Sequence, residues 1–204
     1  MAWSCMARTA TCSTPFCAMG PTIAPTPMAA PSRIARGCSS RSTKACAQAI
    51  GAGRLGVRIS PVSTAGDSRD SNPQALFNHV VKGLNPFGLA YVHVVEGETG
   101  GPRYTIPFDY SALHGCFDGV WMVNNGYDWK LAMDAVARGR ADLVSFGRLF
   151  IANPDLVERL RENAPLNPLM GPDTFYGGGA HGYTDYPTLD QSRAPTGAEE
   201  LALA

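Results

Sequence analysis

The spacing of apolar positions changes several times along this chain, and the changes mark out alternating strands and helices. From Arg54 to Pro61, Leu55, Val57 and Ile59 alternate with Gly56, Arg58 and Ser60, the period of a strand. Leu89 to Val95 is nearly continuous in apolar residues, as expected of a parallel strand covered on both faces. Gly119 to Val123 and the run Leu143, Val144, Phe146 read as two further short strands. Helical spacing lies between them. Thr43 to Gly51 reads as the end of a helix that Gly51 and Gly53 stop. Asn72-Pro73 opens PQALFNHVVKGL, with Leu76, Phe77, Val80, Val81 and Leu84 on one stripe. Trp129 to Ala137 is a helix with Gly139 placed to end it, and Asn153-Pro154 reads as a capped start of another. Val62 to Ser71 is a polar loop, and Tyr104 to Asp118 a linker with one helical turn. Strand, loop and helix thus recur at Arg54, Leu89, Gly119 and Leu143, which predicts four parallel units of an α/β fold.

Some polar residues interrupt this pattern. The strand ending at Gly147-Arg148 suits an anion, because glycine lets a phosphate approach the main chain and arginine offers a planar fork of donors. Gly-Arg taken alone is more often an ordinary strand-to-helix turn. Arg58 inside an apolar strand reads as a paired ion or an edge residue. His79 lies off the apolar stripe of its helix and reads as a surface histidine. His93 reads as a satisfied core histidine without an assigned role. The acid pair of Glu96-Gly97-Glu98-Thr99 says little by itself.

The longer strings say more. FGRLFIANPDLVERL followed by TFYGGGAHGYTDYPTL, with VHVVEGETG and GVRISP upstream, resembles the C-terminal end of the old yellow enzyme family over Thr43 to Leu189. Members of that family are FMN-dependent ene-reductases on a TIM barrel. The resemblance implies the C-terminal half of a (β/α)8 barrel, its four parallel strands being the last four of eight. It implies FMN as cofactor, NADH or NADPH as hydride donor, and an enone or other activated alkene as small-molecule substrate. Arg58 would lie under the flavin, offering positive charge to its pyrimidine end. The main-chain amides of Asn125 and Gly126, with Gly147 and Arg148, would hold the FMN phosphate after strands 7 and 8. Asn124 departs from the family's usual glycine. Phe175 and Tyr176 match an aromatic pair, Phe175 against the flavin and Tyr176 towards substrate. A less specific reading is another FMN barrel oxidoreductase that uses the same phosphate site.

Composition bounds the rest. The 204 residues carry 17 basic and 17 acidic side chains, so no net field favours nucleic acid or anionic membrane. No apolar run approaches the roughly 20 residues of a membrane span, and a cytoplasmic protein with no obligate protein partner is expected. A complete barrel needs about 250 residues, more than the chain has. All acidic residues lie at or after Asp67, whereas Arg8, Arg33, Arg36, Arg41, Lys44, Arg54 and Arg58 precede it. Cys5, Cys12, Cys17, Cys38 and Cys46 also precede it.

Residues 1–42 show neither helical nor strand period and are expected to be unstructured, followed by a partial barrel over 43–190 and a frayed tail over 191–204. Three readings of the first segment compete. A disulfide framework lacks a secretory h-region and a fitting spacing. A transit peptide suits the arginines but not the prolines. The third reading is a frameshift. Starting one base earlier, Ala2 to Pro15 becomes G-V-E-L-H-G-A-N-G-Y-L-L-D-P, and the family's run continues to Ser42. Sequencing the locus decides between them. On the frameshift reading, the substrate-binding His and Asn and the proton-donating Tyr of the family are absent, their codons straddling Cys5/Met6, Arg8/Thr9 and Ala10/Thr11. No catalytic residue is then assigned. Two outcomes stand side by side: an impaired FMN-dependent NAD(P)H oxidoreductase, or an inactive fragment without stable fold.

Overall fold

A computed structural model describes residues 41–64, 70–175 and 179–193. The expectations for residues 1–40 and for Tyr176 therefore lie outside the described residues. The chain divides into two compact units, one through Ser145 and one from Phe146.

In the first unit, residues 41–50 form helix α1. Gly51 follows in a left-handed conformation (φ 87°), and Ala52–Arg54 makes one 3-10 turn, so strand β1 is confined to Gly56–Ile59. Then come α2 (Pro73–Lys82), β2 (Tyr91–Val95), α3 (Tyr110–His114), β3 (Trp121–Asn124), α4 (Trp129–Ala137) and β4 (Leu143–Val144). All strand pairs are parallel, in the order β1-β2-β3-β4. Four parallel βα units are therefore present. The predicted boundaries of α4 coincide with the observed ones, and the Asn72 side chain caps α2 by accepting from Ala75 N at 3.2 Å. His79 is exposed.

Register separates the two faces of the sheet. Ile59, Val94 and Val123 pair in one row, with Val92 and Trp121 in the row before it, and all five are buried. Leu76, Phe77 and Val81 of α2, Leu113 of α3 and Ala135 of α4 join them in one hydrophobic core. The opposite face carries the row Arg58, His93, Met122, Leu143. Arg58 and Leu143 are exposed, and His93 and Met122 half-buried.

The second unit contains α5 (Arg148–Ala152), α6 (Leu156–Glu162) and α7 (Leu189–Arg193). Asn153 does not cap a helix as the Asn-Pro pair predicts. It ends α5 fully buried, donating to Leu149 O (2.9 Å) and accepting from Asn167 N (2.8 Å), and α6 begins only at Leu156. A buried carboxamide with local main-chain partners outcompetes the capping role. Arg159, 2% exposed, is the hub of this unit: it bonds Asp155 (2.7 Å), Pro165 O (2.6 Å) and Pro187 O (2.9 Å). The tail expected from Gln191 is helical as far as Arg193. Among the described residues no helix is long and apolar enough to cross a membrane, and no cluster suits a metal ion.

Candidate functional site

Parallel strands bring their carboxyl ends to one edge, so the loops following β1, β2 and β3 emerge side by side, where α/β sheets place their ligands. The loop after β2 is shaped by Gly97 (φ 77°), whose missing Cβ leaves room for the main chain of Pro102 and Arg103. The chain folds back at that point and returns Arg103 to Glu96. The Arg103 guanidinium pairs with the buried Glu96 carboxylate and donates to the Tyr127 hydroxyl at 3.0 Å, while Tyr127 donates to Glu96 at 2.8 Å. The guanidinium also lies 4.2 Å from the Tyr127 ring centroid, a cation–π arrangement. Tyr110 accepts from Gly97 N at 2.7 Å.

These contacts shift the charges involved. Burial, then the adjoining Glu96 carboxylate, pushes the Tyr127 phenol far above its ordinary value, so it stays protonated. Burial works against the Arg103 charge, but Glu96 together with Tyr127 and Tyr104 outweighs it, and the guanidinium is held more firmly protonated. Burial likewise raises the Tyr110 phenol.

The β1 loop is tied to the β2 loop through Glu98. Its carboxylate accepts from Thr64 N (3.0 Å), Thr64 Oγ1 (2.9 Å) and Ser63 Oγ (2.9 Å). The β3 loop is tied to the β2 loop through Asn125, whose Nδ2 donates to Glu96 O (2.6 Å), Glu98 O (2.9 Å) and Gly101 O (3.3 Å). Asn125 and Gly126 both have positive φ, 94° and 65°. Their main-chain N–H groups bond to no other group among the described residues, and Gly126 is exposed. Successive amides of that kind form an anion-binding concavity.

Arg58, one residue before the end of β1, is exposed and makes no ion pair among the described residues. Of the two things the strand pattern offered, a paired ion or an edge residue, it is the second: β1 is an edge strand of the described sheet. It lies beside His93 in the register. Burial, then the Arg58 charge, lowers His93 to about 4, and its Nε2 lies 3.0 Å from Ser145 Oγ. His93 is thus a neutral, satisfied histidine.

In the second unit, Gly147 precedes α5 with φ −93°, and no atom lies within 4 Å of where a Cβ would stand. Arg148 is exposed as the first residue of α5. Phe175 is half-buried at the end of the 3-10 turn Pro172–Thr174. The first unit also holds a cavity of about 820 Å³, lined by Gln74, Arg103, Tyr110, His114 and Arg140 among others, and it includes none of the predicted site residues.

The NADH:flavin oxidoreductase / NADH oxidase family model matches residues 43–167, well over half of the chain. The chain belongs to this family. Old yellow enzymes are among its relatives of known structure. The chain is 44% identical over 155 residues to putative 12-oxophytodienoate reductase 12 of Oryza sativa subsp. japonica, covering 72% of this chain and 38% of that protein. The old yellow enzyme from Trypanosoma cruzi superposes with a TM-score of 0.67 at 41% identity, over 72% of this chain and 38% of its own. Morphinone reductase in complex with tetrahydroNAD gives 0.66 at 37% identity, over 76% and 41%. The chain therefore spans about two fifths of the length of these relatives, and its four βα units are part of a TIM barrel of the old yellow enzyme type. Arg58, Asn125, Gly126, Gly147 and Arg148 fall within the family match, whereas Phe175 and Tyr176 lie beyond it.

Sequence reasoning missed the Glu96–Arg103–Tyr127 cluster and the two ties made by Glu98 and Asn125. The available signal was the spacing of Gly97, Gly100 and Gly101, which folds a charged loop back on itself.

Proposed function

We propose that the chain is an FMN-binding polypeptide of an old yellow enzyme-type oxidoreductase that uses NADH or NADPH to reduce activated alkenes such as enones. The observation that carries the reading is the Asn125–Gly126 turn, two positive-φ residues at the carboxyl end of β3 whose N–H groups have no partner among the described residues. That turn fits a phosphate. Bound FMN would supply hydride transfer between the nicotinamide and the alkene β-carbon.

The remaining assignments concern the chain's own groups. The N–H groups of Asn125 and Gly126 donate to phosphate oxygen, and Gly147 and Arg148 are proposed phosphate contacts by the family match. Arg58 offers a cation with no ion-pair partner among the described residues, which favours negative charge on the isoalloxazine. Phe175 is a proposed flavin contact and Tyr176 a proposed substrate contact, both on the resemblance alone. A cytoplasmic setting belongs to the same reading.

We further propose that the 204-residue polypeptide is by itself a poor alkene reductase. Its histidines are His79, His93, His114 and His181, and none has an asparagine three residues on, the spacing of the family's oxygen-binding pair. The alternative is a chain with no flavin function at all. Expression followed by gel filtration in the presence of FMN separates them. A yellow peak with the flavin absorbance band supports the proposal, and a folded but colourless peak rejects it.

A further inference from the structure

Asn125 has the identity and position of a ligand contact, yet its side chain is already committed. Its Nδ2 faces three main-chain carbonyls of the β2 loop, those of Glu96, Glu98 and Gly101, and the residue is 8% exposed. The two amide hydrogens are consumed there, and only Oδ1, an acceptor, remains. An acceptor is of no use to a phosphate. Asparagine adopts a positive φ more readily than other residues with a Cβ, though less freely than glycine.

We infer that Asn125 is a positioning residue: its carboxamide clamps the loop after β2 and thereby holds the Asn125–Gly126 turn with its N–H groups turned outward to an anion. The clamp extends in two directions. Through Glu98 the same loop grips Ser63 and Thr64, beyond the strand that carries Arg58. Through Glu96 it grips Arg103, whose side-chain carbons lie 3.1 and 3.3 Å from where a Gly126 Cβ would stand. The turn is thus held from below by Asn125 and from the side by Arg103. The identity of the anion as an FMN phosphate rests on the reading above, but the clamp itself does not.

The test uses the full 204-residue chain and two variants. Asn125→Gly relieves the backbone but removes the clamp, and Asn125→Asp keeps the volume but replaces the two donors by an acceptor. Without flavin, tryptic cleavage after Arg103 should be several-fold faster in both variants. Affinity for FMN should fall roughly tenfold, the scale of one to two net hydrogen bonds. Affinity for riboflavin, which lacks the phosphate, should change less than twofold. Equal losses for FMN and riboflavin would reduce Asn125 to a structural role and overturn the inference. So would wild-type cleavage and wild-type FMN affinity in either variant. Failure of both variants to fold would also overturn it, because the role would then not be confined to the loop. If the wild-type chain binds neither flavin, the FMN reading fails, and the cleavage rates alone decide whether the clamp exists.

Discussion

Mild acid should weaken this fold through one residue, His93. It lies on the polar face of β2 beside Arg58 and against Ser145, and in the folded chain its value is lowered from 6.5 to about 4. The unfolded chain therefore takes up a proton near pH 6.5 that the folded chain accepts only near pH 4. Between those values the unfolded state binds more protons, so stability falls as pH falls. At one proton, the slope is about 1.4 kcal/mol per pH unit, and the whole window is worth about 3 kcal/mol. That is a large share of the 5–15 kcal/mol typical of a domain. Other shifted groups act elsewhere. Partial burial pushes Asp155 up, but hydrogen bonds from Arg159 and Leu189 N hold it below its ordinary value. The Asp185 carboxyl is lowered chiefly by the hydrogen bond from Gly182 N. Both lose their contribution only at more acid pH, below the ordinary carboxylate value. Urea unfolding of the wild type and of His93→Gln at half-unit steps from pH 7.5 to 4.5 isolates the contribution of this histidine. Gln can still bond Ser145 but does not titrate. The wild type should lose stability below pH 6.5 and the variant should stay nearly flat to pH 5. An unchanged slope in His93→Gln would refute the argument.

Three further outcomes follow from the packing and from the proposed site. Arg159→Met should destabilise the second unit by about 3 kcal/mol, because Asp155 and two carbonyls lose their donor, and Arg159→Lys should recover little of it; denaturation followed by exchange of the α6 amides measures both. Trp121→Ala, at a position 1% exposed in the core, should cost about 3–5 kcal/mol in chemical denaturation. The 204-residue chain with FMN and NADPH should reduce cyclohexenone at least about 100-fold more slowly than a full-length relative, the usual effect of a missing oxyanion donor; turnover within tenfold would reject the impairment.

The parts of the fold legible in the sequence were those carried by local chemistry. Alternation around Arg58 gave β1, Asn72-Pro73 gave the start of α2, and Gly139 gave the end of α4. Asn153 misled because its carboxamide serves Leu149 and Asn167, and its contact with Asn167 spans 14 residues of sequence. The residues of the proposed site were named from sequence, but the side-chain wiring around them was not. Asn125 was named for its main chain, yet its side chain organises the neighbouring loop. Arg103 had no period to betray it. It reaches Glu96 only because Gly97 and Gly100 adopt positive φ and turn the loop back.

The proposed function rests on FMN binding, with the turn after β3 as the phosphate contact and Arg148 a further proposed contact by the family match. Equilibrium titration of FMN into the purified full chain, alongside Arg148→Ala, tests it most directly. Saturable binding at one flavin per chain is expected, weakened in Arg148→Ala by about 1.5–3 kcal/mol, the scale of a charged hydrogen bond. A chain that unfolds cooperatively yet shows no saturable FMN binding would contradict it.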